Sequence, residues 1–210
     1  MNLYKQINPI AYENTYILEK EQSLLVIDPG SDWESIKRQL LILEKPISAI
    51  LLTHTHYDHI LSLERLRETF HRPPVYVAEA EAAWLYQPID NLSGLPRHDD
   101  LEDVICRPAE HFYQYDTPYT IDDFTFQVVP TPGHSIGGVS VIFPSEEVVF
   151  SGDALFRETI GRSDLPTGNQ DQLLRSIRQQ LFTLPNHYRV YPGHGGDTTI
   201  GHEKTFNPFF

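Results

Sequence analysis

Ile47-Ser48-Ala49-Ile50-Leu51-Leu52-Thr53-His54-Thr55-His56-Tyr57-Asp58-His59 is an apolar run that passes directly into four potential metal ligands. The run has the length and composition of a buried strand. In extended chain the side chains repeat with period two, so His54, His56 and Asp58 can face one way, and a turn after Asp58 brings His59 beside them. Imidazole and carboxylate together suit zinc, iron or manganese, and a mixed set at this spacing can hold two ions. One histidine beside an apolar run would be an ordinary core or surface residue. Three with an aspartate, where a strand should end, form a metal cradle.

Elements on either side extend the pattern. Thr15 to Leu18 and Leu24 to Ile27 predict a hairpin that ends in Asp28-Pro29-Gly30, a turn signal. Ser31 with Glu34 reads as a capping box, and Trp33, Ile36, Leu40 and Leu43 recur at helical spacing. After the cluster, Ile60, Leu63, Leu66 and Phe70 predict a second helix with Asp58 at its N-cap. Val75 to Val77 reads as a strand and Glu79 to Tyr86 as a helix. Pro88 to Asp123 has few periodic signals and reads as a long irregular loop with short strands. Strands are then expected over Phe124 to Val129, Val139 to Phe143, Val148 to Phe150 and Arg189 to Tyr191, with a helix over Asn169 to Leu184. Two groups of strands, each followed by helices, suit an α/β sandwich of two sheets with helices outside, an αββα arrangement in four layers. A single domain over residues 1–210 is expected.

Composition narrows the function. The chain has 210 residues, 16 Lys and Arg against 29 Asp and Glu, and a net charge of -13. An acidic surface repels phosphate backbones, so nucleic acid is not an expected partner. No run approaches a bilayer-spanning length and the N-terminus carries no export signal, so no membrane partner is expected either. Cys106 is the only cysteine, which fits a reducing compartment; a soluble cytoplasmic protein is expected.

Three further residues share one local grammar. His134 in Thr131-Pro132-Gly133-His134, Asp153 in Ser151-Gly152-Asp153 and His194 in Tyr191-Pro192-Gly193-His194 each follow a strand on a glycine-punctuated loop. With the His54 to His59 cluster, these segments resemble the motif series of the metallo-β-lactamase superfamily, in order and spacing over nearly the whole chain. Within it the chain is similar to the glyoxalase II (hydroxyacylglutathione hydrolase) branch, in the short bacterial form without a C-terminal helical domain.

That resemblance implies the metallo-β-lactamase fold and a site along the sheet edge. It implies one metal on His54, His56 and His134, a second on Asp58, His59 and His194, and Asp153 as the bridge. The cofactors expected are two divalent ions, zinc first, with iron or manganese as alternatives. The activity implied is hydrolysis of S-lactoylglutathione or a related small-molecule thioester by a hydroxide that two cations make available at neutral pH. Asp58 would orient that nucleophile as well as ligate. Arg162, nine residues after Asp153, matches a glutathione-binding cation of the long enzymes, whereas Ile160 and Asp164 replace their Cys and aromatic residue. Its alternative is a surface partnership with Asp164. A persulfide dioxygenase using His54, His134 and Asp153 on one iron, or a lactonase with the same ligands, are the alternative activities. A β-lactamase is disfavoured by the resemblance, because such enzymes usually carry something else where His59 stands.

Overall fold

The computed structural model describes residues 1–96, 100–115 and 117–210. Its chain packs as two compact units, residues 1–113 with 121–124, and residues 114–120 with 125–210.

The first unit is built on a mixed six-stranded sheet in chain order: β1 Asn2–Ile7, β2 Asn14–Glu19, β3 Leu24–Ile27, β4 Ile47–Leu51, β5 Val75–Val77 and β6 His111–Phe112. The first three strands are antiparallel; β3 to β6 run parallel. The β3 to β4 crossover is helix α1, Trp33–Leu43, and α2, Leu63–Thr69, follows the ligand cluster. Alternate strand residues face these helices: Ile17, Leu24 and Val26, Ile50 and Leu52, Val75 and Val77 pack with Trp33, Ile36, Leu40, Leu63 and Leu66. This is the period-two pattern meeting the helical one. All four residues of β3 are buried, as parallel strands covered on both faces require.

Two helix starts differ from the sequence reading. The α1 cap is Asp32, whose carboxylate accepts from the Ser35 N–H at 3.2 Å, while the Ser31 hydroxyl accepts from the Ile10 N–H instead. A carboxylate one residue later reaches the orphan amides, so the helix starts there. Asp58 is not the cap of α2: Tyr57–His59 forms a separate 3-10 turn, and α2 begins only after Ser62. That turn also replaces the extended geometry expected up to Asp58. Glu79–Tyr86 is helical as expected, but of the 3-10 type.

Apart from Ile121 and Phe124, the second unit holds the other mixed six-stranded sheet, of β7 Tyr119–Ile121, β8 Phe124–Pro130, β9 Val139–Phe143, β10 Val148–Gly152, β13 Arg189–Pro192 and β14 Thr198–Thr199. A small hairpin, β11 Leu155–Phe156 and β12 Thr159–Ile160, lies between β10 and α3, Gln170–Ser176, which a π-helical turn extends through Leu181. α4, Ile200–Phe206, follows β14. One sheet face packs Ile142, Val149 and Val190 with Leu173, Ile177, Leu181 and Ile200. Neighbouring strands β8, β9, β10 and β13 also carry a file of rings, Phe126, Phe143, Phe150 and Tyr191, with successive centroids 5.4, 5.7 and 5.4 Å apart. Such cross-strand aromatic pairs pin the register of a sheet. The C-terminal Phe210 packs edge-on against Phe182 at 4.6 Å, under the Arg178 guanidinium.

Strand direction decides where the connecting loops gather. β8 and β10 both run antiparallel to β9, and β13 runs parallel to β10, so the carboxyl ends of β8, β10 and β13 lie on one edge of their sheet. In the first sheet the parallel strands β3 and β4 likewise end on one edge. Loops leaving carboxyl ends are where α/β folds place ligands. Among the described residues no helix is long and apolar enough to cross a membrane.

Cys106 is buried, and that burial, with the Glu64 carboxylate nearby, pushes its thiol up to about 12. A raised thiol pKa keeps the group protonated and unreactive at ordinary pH. At pH 8 the native protein is expected to resist an aromatic disulfide reagent and to react with one equivalent only after unfolding in guanidinium; prompt labelling of the native chain would show that the segment before β6 opens.

Candidate functional site

In the first unit the donors sit directly beyond β4. His54, His56, Asp58 and His59 are all buried. The His54 ring centroid lies 4.7 Å from that of His56, edge to face, and 4.1 Å from that of His59. The Asp58 Oδ2 lies 3.8 Å from the His59 Nε2.

What aims these rings is Asp28, at the end of β3. Its backbone turns left-handed, φ 49°, a conformation that Asp tolerates. Its Oδ1 accepts the Thr53 N–H at 2.8 Å, and its Oδ2 accepts the Thr53 Oγ1–H at 2.6 Å. The single hydroxyl proton of Thr53 is thereby used, so its oxygen accepts from the His54 Nδ1–H at 3.1 Å. Asp28 Oδ2 also meets the His59 Nδ1 at 3.0 Å, where only an N–H makes a bond. Both rings are therefore held with Nδ1 protonated, which in the neutral imidazole leaves the lone pair on Nε2. Donor atoms of Asp28, His54 and His59 fall within 4.8 Å of one another. With its oxygens already committed to Thr53 and His59, Asp28 orients ligands rather than adding one.

The second unit repeats this arrangement. His134 follows β8, Asp153 follows β10 and His194 follows β13. A bulge in the β10 to β13 pairing falls between Phe150 and Gly152, and the Gly193 N–H donates to the Gly152 carbonyl at 2.9 Å, which brings the Asp153 and His194 loops side by side. One oxygen of Asp153, Oδ2, stands 3.4 Å from the His134 Nε2 and 3.3 Å from the His194 Nε2. The His134 Nδ1–H donates to the Arg162 carbonyl at 2.7 Å; a carbonyl can only accept, so in the neutral ring Nε2 carries the lone pair here too.

Close backbone packing makes the second set rigid. Gly133 has φ +131°, and a Cβ there would lie 2.3 Å from the Leu173 nitrogen of α3. The Asn169 N–H bonds the Gly133 carbonyl at 2.7 Å and the Ser176 hydroxyl bonds the Pro132 carbonyl at 2.9 Å, so α3 docks onto the His134 loop. A Cβ on Gly161 would collide with the Asp153 carbonyl at 1.8 Å. Glycine is what lets these two segments touch.

The donors fit divalent metal. In a neutral His134 ring, the Nε2 lone pair and the Asp153 carboxylate are two acceptors facing each other at 3.4 Å, an arrangement that a cation makes favourable. Three histidines with one aspartate in the first unit, and two with one in the second, are donors of the kind that suit divalent metal.

Other sequence expectations fare differently. The Arg162 side chain is exposed and forms a two-point ion pair with Asp164, at 2.7 and 2.8 Å, which holds its guanidinium even further above its usual range. Its backbone, through the carbonyl on His134, has the clearer part in the site. His187 pairs with Glu147 and His202 with Glu158, and the His111 ring lies 4.6 Å from that of Tyr76 with the planes tilted by 32°. His71 is exposed, and His98 lies outside the described residues.

Comparison with known proteins agrees with this geometry. The model of the metallo-beta-lactamase superfamily matches residues 10–194. The chain belongs to this superfamily. It has the superfamily's α/β fold, with two mixed sheets flanked by helices. It is 62% identical over 210 residues to a probable metallo-hydrolase of Streptococcus pyogenes, covering 100% of this chain and 90% of that one. It is 32% identical to the hydroxyacylglutathione hydrolase GloC of Haemophilus influenzae, over 92% of this chain and 90% of that one. Among solved structures, the BLEG-1 B3 metallo-beta-lactamase superposes with a TM-score of 0.93 at 39% identity over 99% of both chains. TTHA1623 in a di-iron-bound form gives 0.87 at 33% identity over 99% of this chain and 100% of that one. This superfamily member is therefore a probable metallo-hydrolase.

Sequence reading missed Asp28, Thr53 and the Arg162 carbonyl. Asp28 had a signal: an acid at a strand end in the turn Asp28-Pro29-Gly30, as Asp153 is an acid at the end of another strand. The carbonyl had none, because every residue has one.

Asp28→Ala removes the acceptor that aims two imidazoles. Its metal affinity, measured by chelator competition, is expected to fall about 10–100-fold, the usual cost of losing an outer-shell partner. Wild-type affinity would remove Asp28 from the site.

Proposed function

We propose that the protein is a metal-dependent thioester hydrolase of the glyoxalase II type, cleaving S-lactoylglutathione or a related acyl-thiol. One observation carries the reading. His54, His59 and His134 each have Nδ1 tied to a protein acceptor, which leaves Nε2 for metal, and these donors lie in a chain similar over 92% of its length to a hydroxyacylglutathione hydrolase. The ligand assignment is the family pattern: His54, His56 and His134 for one ion, Asp58, His59 and His194 for the other, Asp153 for both. The two compact units would then serve as one catalytic domain.

Two bound divalent ions supply an acidified water and a Lewis-acid contact for the developing oxyanion. The chain's own residues do the rest. Asp58 accepts a hydrogen bond from the attacking water and turns its lone pair toward the acyl carbon. As the new C–O bond forms and the C–S bond breaks, the thiolate leaves with the electron pair and takes a proton, giving a free thiol and a carboxylic acid. The Asp28 and Thr53 bonds and the Arg162 carbonyl keep the imidazoles still, so little reorganisation accompanies the step. Arg162 would meet an anionic end of the substrate by exchanging Asp164 for a substrate carboxylate. Zinc suits this donor set, and iron suits it equally by donor type.

A second reading, β-lactam hydrolysis, is favoured by the likeness to BLEG-1. It would call on this chain's own donors for the same kind of attack on a carbonyl, so the substrate distinguishes the two.

The test is hydrolysis of S-D-lactoylglutathione by purified protein, with metal content measured on the same sample, alongside a chromogenic cephalosporin and oxygen uptake with glutathione persulfide. Thioester turnover that chelation abolishes and divalent metal restores is expected. Turnover of the cephalosporin alone would move the assignment to the lactam reading, and oxygen uptake on one iron would replace hydrolysis altogether. Asp153→Ala is expected to reduce both bound metal and turnover to background, while wild-type-like turnover would sink its bridging role. For Arg162→Ala the expected result is a raised KM with kcat nearly unchanged; an unaltered KM removes the guanidinium from the substrate site.

A further inference from the structure

Asp28 anchors Thr53, His54 and His59, but the middle of the donor loop is held from elsewhere. Residues 79–91 grip its next three residues one after another. The Glu81 Oε2 accepts both the Thr55 N–H at 2.9 Å and the Thr55 Oγ1–H at 3.1 Å. The Trp84 ring stacks on His56, with planes 15° apart and centroids 6.1 Å apart. The Asn91 carbonyl accepts the Tyr57 N–H at 2.9 Å. Glu81 and Asn91 are fully buried. Asn91 is itself fixed, its amide donating to the Trp84 and Val104 carbonyls at 2.9 and 2.8 Å.

A carboxylate buried this deeply costs stability unless its hydrogen bonds are well made. Here those bonds go to the one residue that separates two adjacent imidazole donors. We propose that Glu81 is a positioning residue for the His54-x-His56 pair. By holding the peptide and side chain of Thr55, it sets the edge-to-face spacing of the two rings and so the affinity of the ion they bind. It touches neither metal nor substrate. This inference rests on the metal-dependent reading of the site, but not on the choice of substrate.

The two Thr55 bonds run to a single oxygen, which gives a discriminating pair of variants. Glu81→Gln can keep an amide oxygen in that place without the charge, whereas Glu81→Ala keeps neither. The measurement is titration of chelator-stripped full-length protein with Co(II), reading stoichiometry, affinity and the visible ligand-field absorption, with the circular dichroism of each stripped variant recorded first. Expected is a loss of about 10–100-fold in affinity for one of two Co(II) equivalents in Glu81→Ala, with an altered absorption band, and recovery of most of that loss in Glu81→Gln. Wild-type affinity and spectrum in Glu81→Ala would overturn the proposal. Equal losses in both folded variants would overturn it too, because charge rather than positioning would then be at work. If Glu81→Ala does not fold, Thr55→Val decides: it removes one of the two bonds and is expected to weaken one equivalent by about two- to tenfold, and no change would refute the role. Weak Co(II) binding to the wild-type protein would instead undermine the metal-dependent reading itself, and failure to hydrolyse thioesters leaves this test untouched.

Discussion

An imidazole binds metal well only when its lone pair is aimed, and in this chain the aim is set by hydrogen bonds on the opposite nitrogen. Asp28 does this for two rings at once, directly for His59 and through the committed hydroxyl of Thr53 for His54. The Arg162 carbonyl does it for His134. Each arrangement needs its own piece of backbone to stop at the right place. β3 must end at Ile27 so that Asp28 turns left-handed beside the end of β4, and Gly161 must lack a side chain so that residues 161–162 can lie against the Asp153 carbonyl. The sheets can be understood as the means of holding those strand ends still.

Such a site carries an electrostatic cost that its hydrogen bonds offset. Glu13, Asp28 and Glu81 are essentially inaccessible to water, and all are in the unit that holds the His54 to His59 cluster. A buried carboxylate loses several kcal/mol of hydration before any partner compensates it, on the order of the cost estimated for a desolvated ion in protein. Asp28 recovers it through Thr53 and His59, Glu81 through Thr55, and Glu13 through Asn8 and Thr15. Asp28 and Glu81 also fix the conformation of the donor segment, so two of the anions that make the region costly also make it precise. Divalent ions nearby would lower the cost further, because the field of a cation favours every surrounding carboxylate.

How much of this was legible in the sequence depends on whether a residue acts through its own identity or through its neighbours. The metal donors act through identity: histidine and aspartate at strand ends are uncommon enough that the His54 to His59 cluster and the Gly-His and Gly-Asp loops could be read directly. Strand and helix positions followed from apolar periodicity, and failed where short-range polar bonds decide. Asp32 rather than Ser31 capped α1, and a 3-10 turn displaced Asp58 from the start of α2. Glu81 was invisible for a different reason. In Glu79-Ala80-Glu81 the two acids look alike as helix surface charges, yet Glu79 is exposed and Glu81 fully buried, because only Glu81 points at Thr55.

The same distinction explains why the donor set alone does not choose a substrate. The similar chains include one described as a hydroxyacylglutathione hydrolase and one described as a metallo-beta-lactamase, so closely related scaffolds go with different carbonyl compounds. Attack on a thioester and on a lactam asks the same of the donors: a water held in place and a polarised oxygen. What differs is the body of the substrate, which must be met by side chains away from the ligands. In this chain Arg162, nine residues after Asp153, is held by Asp164, so an anionic substrate gains from it only by displacing an existing two-point ion pair. An exposed pair of that kind is worth little in water, roughly 0–1 kcal/mol, so displacing it costs a substrate little. On the thioester reading proposed above, a single exposed guanidinium shared with Asp164 gives Arg162 no means of choosing glutathione over another anionic acyl carrier.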